Sequence, residues 1–308
     1  MSICIYHPTM GKEIARQVGE RFPSMQVSVC TDVSRDPPGR EHIEIMIANR
    51  FPTGLLSRCS RLRWLHLTGS GFEHVFADDP PAELLVTHSA NVPARAVAEF
   101  VWMGLLALEK QTLTLHRQQR ERQWRLPDAR RLAGARMLLV GLGHIGQEIA
   151  RRARGFEVPV TAVRASGRPS ELADAVITPD RIAEVAPDCR YLVLAVPDNP
   201  TSRQLIDQRV IAALPAGAIV INIARSSALD VPALVAALRA GHLRGAMLDV
   251  HDMEPLPEDS PLWDVPNLLV TPHCAYRFHE EEEEVARTFV ANLERFLEQQ
   301  PLANPCAR

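Results

Sequence analysis

The sequence predicts an α/β protein built from two doubly wound parallel-sheet domains, and three observations carry that prediction. Short apolar runs alternate with helical stretches along all 308 residues. The runs are continuous in Val, Ile and Leu instead of alternating apolar with polar, as in strands covered on both faces. They are numerous enough for two sheets, and the chain is long enough for two cores. Alternating β and α units then imply parallel order with helices on either side.

Taken in order, "ICIY", "VSV", "IEIMIA", "LRWLHL" and "LLVTH" are the strands expected before residue 90. "HSANVPARAVAEFVWMGLLALEK" then marks a boundary. Asn91 can cap a helix whose first turn holds Pro93, where a missing N–H is harmless. That helix is apolar nearly all round as far as Leu108, so burial between domains or subunits is expected. "HRQQRERQWR" reads as a solvated helix face. After residue 134 come "ARMLLVG", "VPVTAV", "YLVLAV", "AIVINIA", "GAMLDV" and "LLVTP". Glu280 to Glu284 opens the last helix, with acids at the positive end of its dipole.

Composition excludes several classes. With 34 basic and 37 acidic residues the formal charge is -3, which favours neither nucleic acid nor an anionic membrane as partner. The six cysteines are scattered without a C-x-x-C pair, so neither a disulfide framework nor a zinc site is expected. The opening "MSICIYHPTM" lacks the basic segment of a secretory leader. The stretch from Val97 to Leu108 falls short of the roughly 20 residues that cross a bilayer. A reduced, cytoplasmic protein without a metal is expected.

"RMLLVGLGHIGQEIARRA" places Gly141, Gly143 and Gly146 in G-x-G-x-x-G spacing between an apolar strand and a helix. In that context the glycines permit a tight turn, close approach of a pyrophosphate and close packing, with helix N–H groups facing the anion. A dinucleotide is therefore expected, contacted also by His144 and Ile145 within the turn. The next strand leads into "VRASGR", where a carboxylate would receive a free ribose 2′-hydroxyl. Arg164, Ser166 and Arg168 stand there instead and suit a 2′-phosphate, so NADP(H) is favoured, with NAD(H) possible.

Ligands of open parallel sheets bind beyond the carboxyl ends of the strands. "AIVINIAR" ends in Arg225, "GAMLDVHDMEP" carries Asp249 and Glu254, and "LLVTPH" ends in His273. Hydride chemistry needs a proton donor near neutrality and a counter-charge for the developing oxyanion. His273 suits the first task, and a carboxylate such as Glu254 would favour its imidazolium form and fix its ring. Arg225 can grip a substrate carboxylate. Cys274 reads as packing.

"LLVGLGHIGQEIA", "VPDNPTSRQLI", "LPAGAIVINIAR", "ALVAALRAGHLRGAMLDVHDMEPLPEDSPLW" and "NLLVTPH" together resemble the blocks of the D-isomer-specific 2-hydroxyacid dehydrogenase family. The resemblance implies that Arg225, Glu254 and His273 are catalytic. It implies cofactor contacts from Val196, Pro197, Ala224 and Asp249, the last toward the nicotinamide carboxamide. "TGSGFE" is similar to the loop that binds substrate carboxylate, implicating Ser70 and Gly71. The implied organisation is a flavodoxin-like substrate domain of residues 1–92 plus 281–308 and a Rossmann cofactor domain of residues 93–280, assembled as a homodimer. The short start and basic cofactor loop resemble the glyoxylate/hydroxypyruvate reductase branch, so reduction of a small 2-keto acid to the D-2-hydroxy acid is expected. The family's corepressor relatives leave a dinucleotide-sensing interaction protein as the alternative. Two departures stand out. Ser226 replaces the usual glycine after the arginine, and "CAYRF" replaces small residues after His273, bringing Tyr276 and Arg277 toward the substrate.

Overall fold

The computed structural model describes residues 1–69 and 71–306. Contacts divide the chain into two units, Met1–Pro93 with the chain from Phe278 onward, and Ala94–Arg277.

The first unit carries β1 (Ser2–Tyr6), α1 (Gly11–Arg21), β2 (Gln26–Cys30), β3 (Ile45–Ala48), α2 (Leu55–Arg58), β4 (Trp64–Leu67), α3 (Glu73–Ala77) and β5 (Leu85–His88). Its five strands are all parallel in the order β2-β1-β3-β4-β5. The central strands β3 and β4 are buried along their whole length, as their unbroken apolar runs require. The edge strand β2 is largely exposed and reads correspondingly mixed, "QVSVC". Beneath the sheet, the Trp64 ring stacks on Phe289 at 5.2 Å and on Phe296 at 5.3 Å. These contacts dock the last helix of the chain against the unit's core.

The second unit carries α4 (Ala94–Glu109), α5 (Thr112–Arg120), β6 (Met137–Val140), α6 (His144–Ala153), β7 (Val160–Val163), β8 (Ala175–Ile177), α7 (Ile182–Val185), β9 (Tyr191–Leu194), α8 (Gln208–Ala213), β10 (Ala218–Asn222), α9 (Val231–Arg239), β11 (Leu243–Leu248) and β12 (Leu268–Val270). The chain then re-enters the first unit as α10 (Glu281–Leu297). The seven strands are parallel in the order β12-β11-β10-β9-β6-β7-β8. Winding starts at β6, runs out to β8, returns beside β6 as β9 and proceeds to β12. The switch point lies between β6 and β9, where the carboxyl ends of an open sheet leave a crevice.

The two sheets agree with the expected fold class. Strand β8 was not expected, because "AVI" is a three-residue edge strand bordered by polar residues. The charged stretch beyond Leu108 is helical only as far as Arg120. From Glu121 the chain runs without helix or strand to β6, and on it Trp124 is 100% and Leu126 95% exposed.

The base of this arm is fixed by an unusual burial. Glu109, the last residue of α4, is wholly buried. Its Oε1 accepts from the Tyr191 hydroxyl at 2.7 Å and lies 3.1 Å from Arg190 Nη2. Arg244 Nε stands 3.2 Å from its Oε2, an ion pair without hydrogen-bond alignment. Arg244 also reaches the Asp128 carboxylate at 3.0 Å, and Lys110 Nζ donates to the Arg130 carbonyl at 2.7 Å. Removing one member of such a group leaves the others buried and uncompensated. Glu109→Ala is therefore expected to lower unfolding free energy by about 3–5 kcal/mol, read from urea denaturation. A loss below about 1 kcal/mol would show that the arm is held by other contacts.

Candidate active site

The glycine turn sits at the switch point. Gly141 follows β6 with φ +106°, and a Cβ there would lie 2.4 Å from the Ala195 carbonyl oxygen beyond β9. A Cβ on Gly146 would lie 2.1 Å from the Gly141 carbonyl oxygen. Both positions therefore require glycine, which lets α6 close onto β6. Gly143 is different: its Cβ direction meets nothing within 4 Å. No side chain caps α6, whose first residues are His144 and Ile145. Open space over Gly143 beside uncapped helix N–H groups fits the diphosphate of a dinucleotide. Val196 and the exposed Pro197 stand beyond β9 on the other side of the switch.

At the end of β7 the chain makes a turn in which Arg164 N–H donates to the Ile177 carbonyl and Gly167 N–H to the Arg164 carbonyl, both at 2.9 Å. Arg168 N–H reaches Ser166 Oγ at 3.4 Å. Ser166 and Arg168 are exposed and Arg164 is half-buried. Among the described residues, neither arginine has a carboxylate in ion-pair range. The turn is a basic platform one strand away from the glycines.

The three strand ends are levelled by register: Asn222 of β10 pairs with Leu248 of β11, which pairs with Val270 of β12. Adjacent strands lie roughly 4.8 Å apart, so the turns after β10 and β12 flank the one after β11. The turns after β10 and β12 are each tied by a buried polar side chain. Asn222 accepts from Ala224 N–H and donates to the Arg225 carbonyl, each at 3.0 Å. Arg225 is extended, with φ -142°, and its Nη1 donates to the Ala224 carbonyl at 2.8 Å. Ser226 starts a 3-10 turn without positive φ, a backbone conformation that serine adopts freely. Ser227 Oγ donates to Asp198 at 3.0 Å, linking this turn to the one after Pro197.

Asp249, 1% exposed, organises the turn after β12. It accepts from Thr271 Oγ1 at 2.6 Å, from Cys274 N–H at 3.0 Å and from Ala275 N–H at 2.9 Å. Within those bonds His273 adopts φ +51°, a left-handed conformation that its surroundings must hold. Its Nδ1 meets Glu254 Oε2 at 2.8 Å. The carboxylate accepts, so Nδ1 carries the proton. Burial pushes the Glu254 carboxyl up, but the bonds from His273 and from His251 N–H outweigh it and hold the group below its ordinary value. Burial, then the Asp249 charge, push the Cys274 thiol up, away from nucleophile chemistry. The Tyr276 ring stands edge-on to His273 at 6.2 Å.

The structure thus bonds Glu254 to His273, places Asp249 under the turn that carries this histidine, and sets Arg225 on a turn two strands away. Gly71 lies in the first unit after β4, half-exposed, and Ser70 falls outside the described residues. Sequence reasoning missed Asn222, His251 and Thr271. Asn222 was findable, as the polar break in "AIVINIA". Among the described residues, no cluster could hold a metal ion and no helix is long and apolar enough to cross a membrane.

Residues 102–275 match the family described as D-isomer specific 2-hydroxyacid dehydrogenase, NAD binding domain. The chain is 32% identical to the (S)-sulfolactate dehydrogenase of Chromohalobacter salexigens, over 80% of this chain and 82% of that one. It is 26% identical to a glyoxylate reductase of Thermococcus kodakarensis, over 82% of this chain and 78% of the other. Among solved structures it resembles a D-isomer specific 2-hydroxyacid dehydrogenase from Xanthobacter autotrophicus Py2, in complex with NADPH and MES. The TM-score is 0.89 at 27% identity, covering 99% of this chain and 98% of that one.

The depressed Glu254 value has a definite pH consequence. The pair's stabilisation is present above the ordinary carboxylate value and is lost as pH falls through the lowered folded one. A carbon-13 NMR titration should therefore place the Glu254 midpoint below the ordinary value of a glutamate carboxyl, and His273→Ala should raise it. A midpoint at or above that value would contradict the bond.

Proposed function

The chain belongs to the D-isomer-specific 2-hydroxyacid dehydrogenase family, and from that premise we propose that it reduces a small 2-keto acid of the glyoxylate or hydroxypyruvate kind with NADPH. The single observation that carries the assignment of roles is the 2.8 Å bond between His273 Nδ1 and Glu254 Oε2, which leaves Nε2 to deliver a proton. When bound, the reduced nicotinamide supplies the hydride. Gly141, Gly143, His144, Ile145 and Gly146 would hold the diphosphate, and Val196, Pro197, Ala224 and Asp249 would border the nicotinamide end. Arg225 grips the substrate carboxylate and polarises the neighbouring carbonyl. His273 protonates the oxygen as negative charge develops there, while Glu254 keeps the ring aligned and balances its charge. In oxidation the same Nε2 accepts the proton.

Preference for NADPH is supported by the carboxylate-free platform of Arg164, Ser166 and Arg168, and by the NADPH in the Xanthobacter relative. Likeness to the sulfolactate dehydrogenase supports a second reading, a 2-keto acid with an anionic group on C3. Homodimer formation is supported by the segment that exposes the Trp124 and Leu126 side chains, since apolar side chains held in water favour a partner contact. The six free cysteines accord with a reducing, cytoplasmic setting.

A matrix of NADPH and NADH against a dozen 2-keto acids, sulfopyruvate included, tests the reaction and ranks the two substrate readings. Turnover with glyoxylate or hydroxypyruvate and at least about 10-fold higher kcat/KM with NADPH are expected. No turnover on any acid would reject the proposal. Arg164→Asp should move the cofactor ratio toward NADH, and an unchanged ratio would remove the loop from cofactor choice. His273→Ala should lower turnover by about 100- to 10,000-fold while NADPH still binds, measured by fluorescence titration; wild-type rates would exclude it as the acid.

A further inference from the structure

We propose that His251 is a positioning residue for the Glu254–His273 pair, a role that rests on the reaction proposed above. His251 lies in the irregular segment after β11 and touches the supports of both partners. Its backbone N–H donates to Glu254 Oε1 at 3.1 Å, while Glu254 Oε2 is the atom that meets His273. Its side chain turns the other way, with Nε2 2.9 Å from the Thr271 carbonyl oxygen. A carbonyl can only accept, so the His251 proton sits on Nε2.

Thr271 is itself immobilised, its N–H donating to the Leu248 carbonyl at 3.0 Å and its Oγ1 to Asp249. One residue therefore clamps the loop carrying Glu254 to the base of the turn carrying His273. Nδ1 of His251 is buried with no hydrogen-bond partner among the described residues, so the Thr271 bond is the ring's polar anchor. The segment around Glu254 has neither helix nor strand to hold it, and a shift of about 1 Å in a reacting group can lower rate roughly 100-fold.

The test compares three variants of the full chain. His251→Phe keeps the ring and removes the donor. His251→Asn stays polar but is too short for Thr271, and stands in if the Phe variant fails to fold. His251→Gln restores an N–H at similar reach. Phe and Asn should each lower kcat by roughly 10- to 100-fold, with KM and the NADPH dissociation constant within about 2-fold of wild type. Gln should recover most of the loss. A second readout needs no turnover: the nitrogen-15 resonance of His273 Nδ1 should move toward that of free imidazole in Phe and Asn, but not in Gln. Wild-type kcat and an unmoved resonance in Phe or Asn would overturn the role. Were the wild-type protein to reduce no keto acid, the reaction would fall, and the resonance would still decide whether His251 sets the pair.

Discussion

A carboxylate withdrawn from water must be given donors, and Asp249 takes its three from the turn that carries His273. Everything at the site follows from that demand. The bonds draw Thr271, Cys274 and Ala275 around one point and leave His273 between them, with its backbone in a region that a histidine seldom occupies unaided. The turn then aims the ring at Glu254. Replacing such a hub with an apolar residue would strand two backbone N–H groups and a hydroxyl, so the geometry is enforced by hydrogen-bond need more than by shape.

The same device recurs one strand over. Asn222 is polar in the middle of an apolar core layer, and it satisfies its amide by curling the chain after β10 back on itself. Arg225 leaves the sheet from that curl. Two buried polar residues at corresponding strand ends thus convert flat, hydrogen-bonded edges into turns of defined direction. Parallel sheets expose their strand ends without intrinsic shape, and here the shape comes from side chains below the surface.

Much of this was legible before any coordinates. Unbroken Val/Ile/Leu runs such as "AIVI" and "MLLV" gave the buried parallel strands, and the glycine spacing between a strand and a helix gave the turn at the switch point. Less was legible where the signal was not local. The edge strand β8 is only three residues long, and its pairing with β7 outweighs a weak propensity. Glu109 follows directly on the apolar run that ends at Leu108. Its burial depends on Arg190 and Arg244, which lie 81 and 135 residues further along the chain and are brought to it only by the sheet. His251 leaves no trace for a related reason: its ring is anchored on a backbone carbonyl, which residue type does not reveal.

The order of the second sheet carries an evolutionary corollary. The basic platform after β7 lies on one side of the switch point, whereas the turns after β10, β11 and β12 lie on the other. No strand contributes to both. Under the roles proposed above, substitutions in the platform after β7 would leave the Glu254–His273 pair untouched. Such modularity offers a protein engineer two mutational neighbourhoods that should combine with little epistasis.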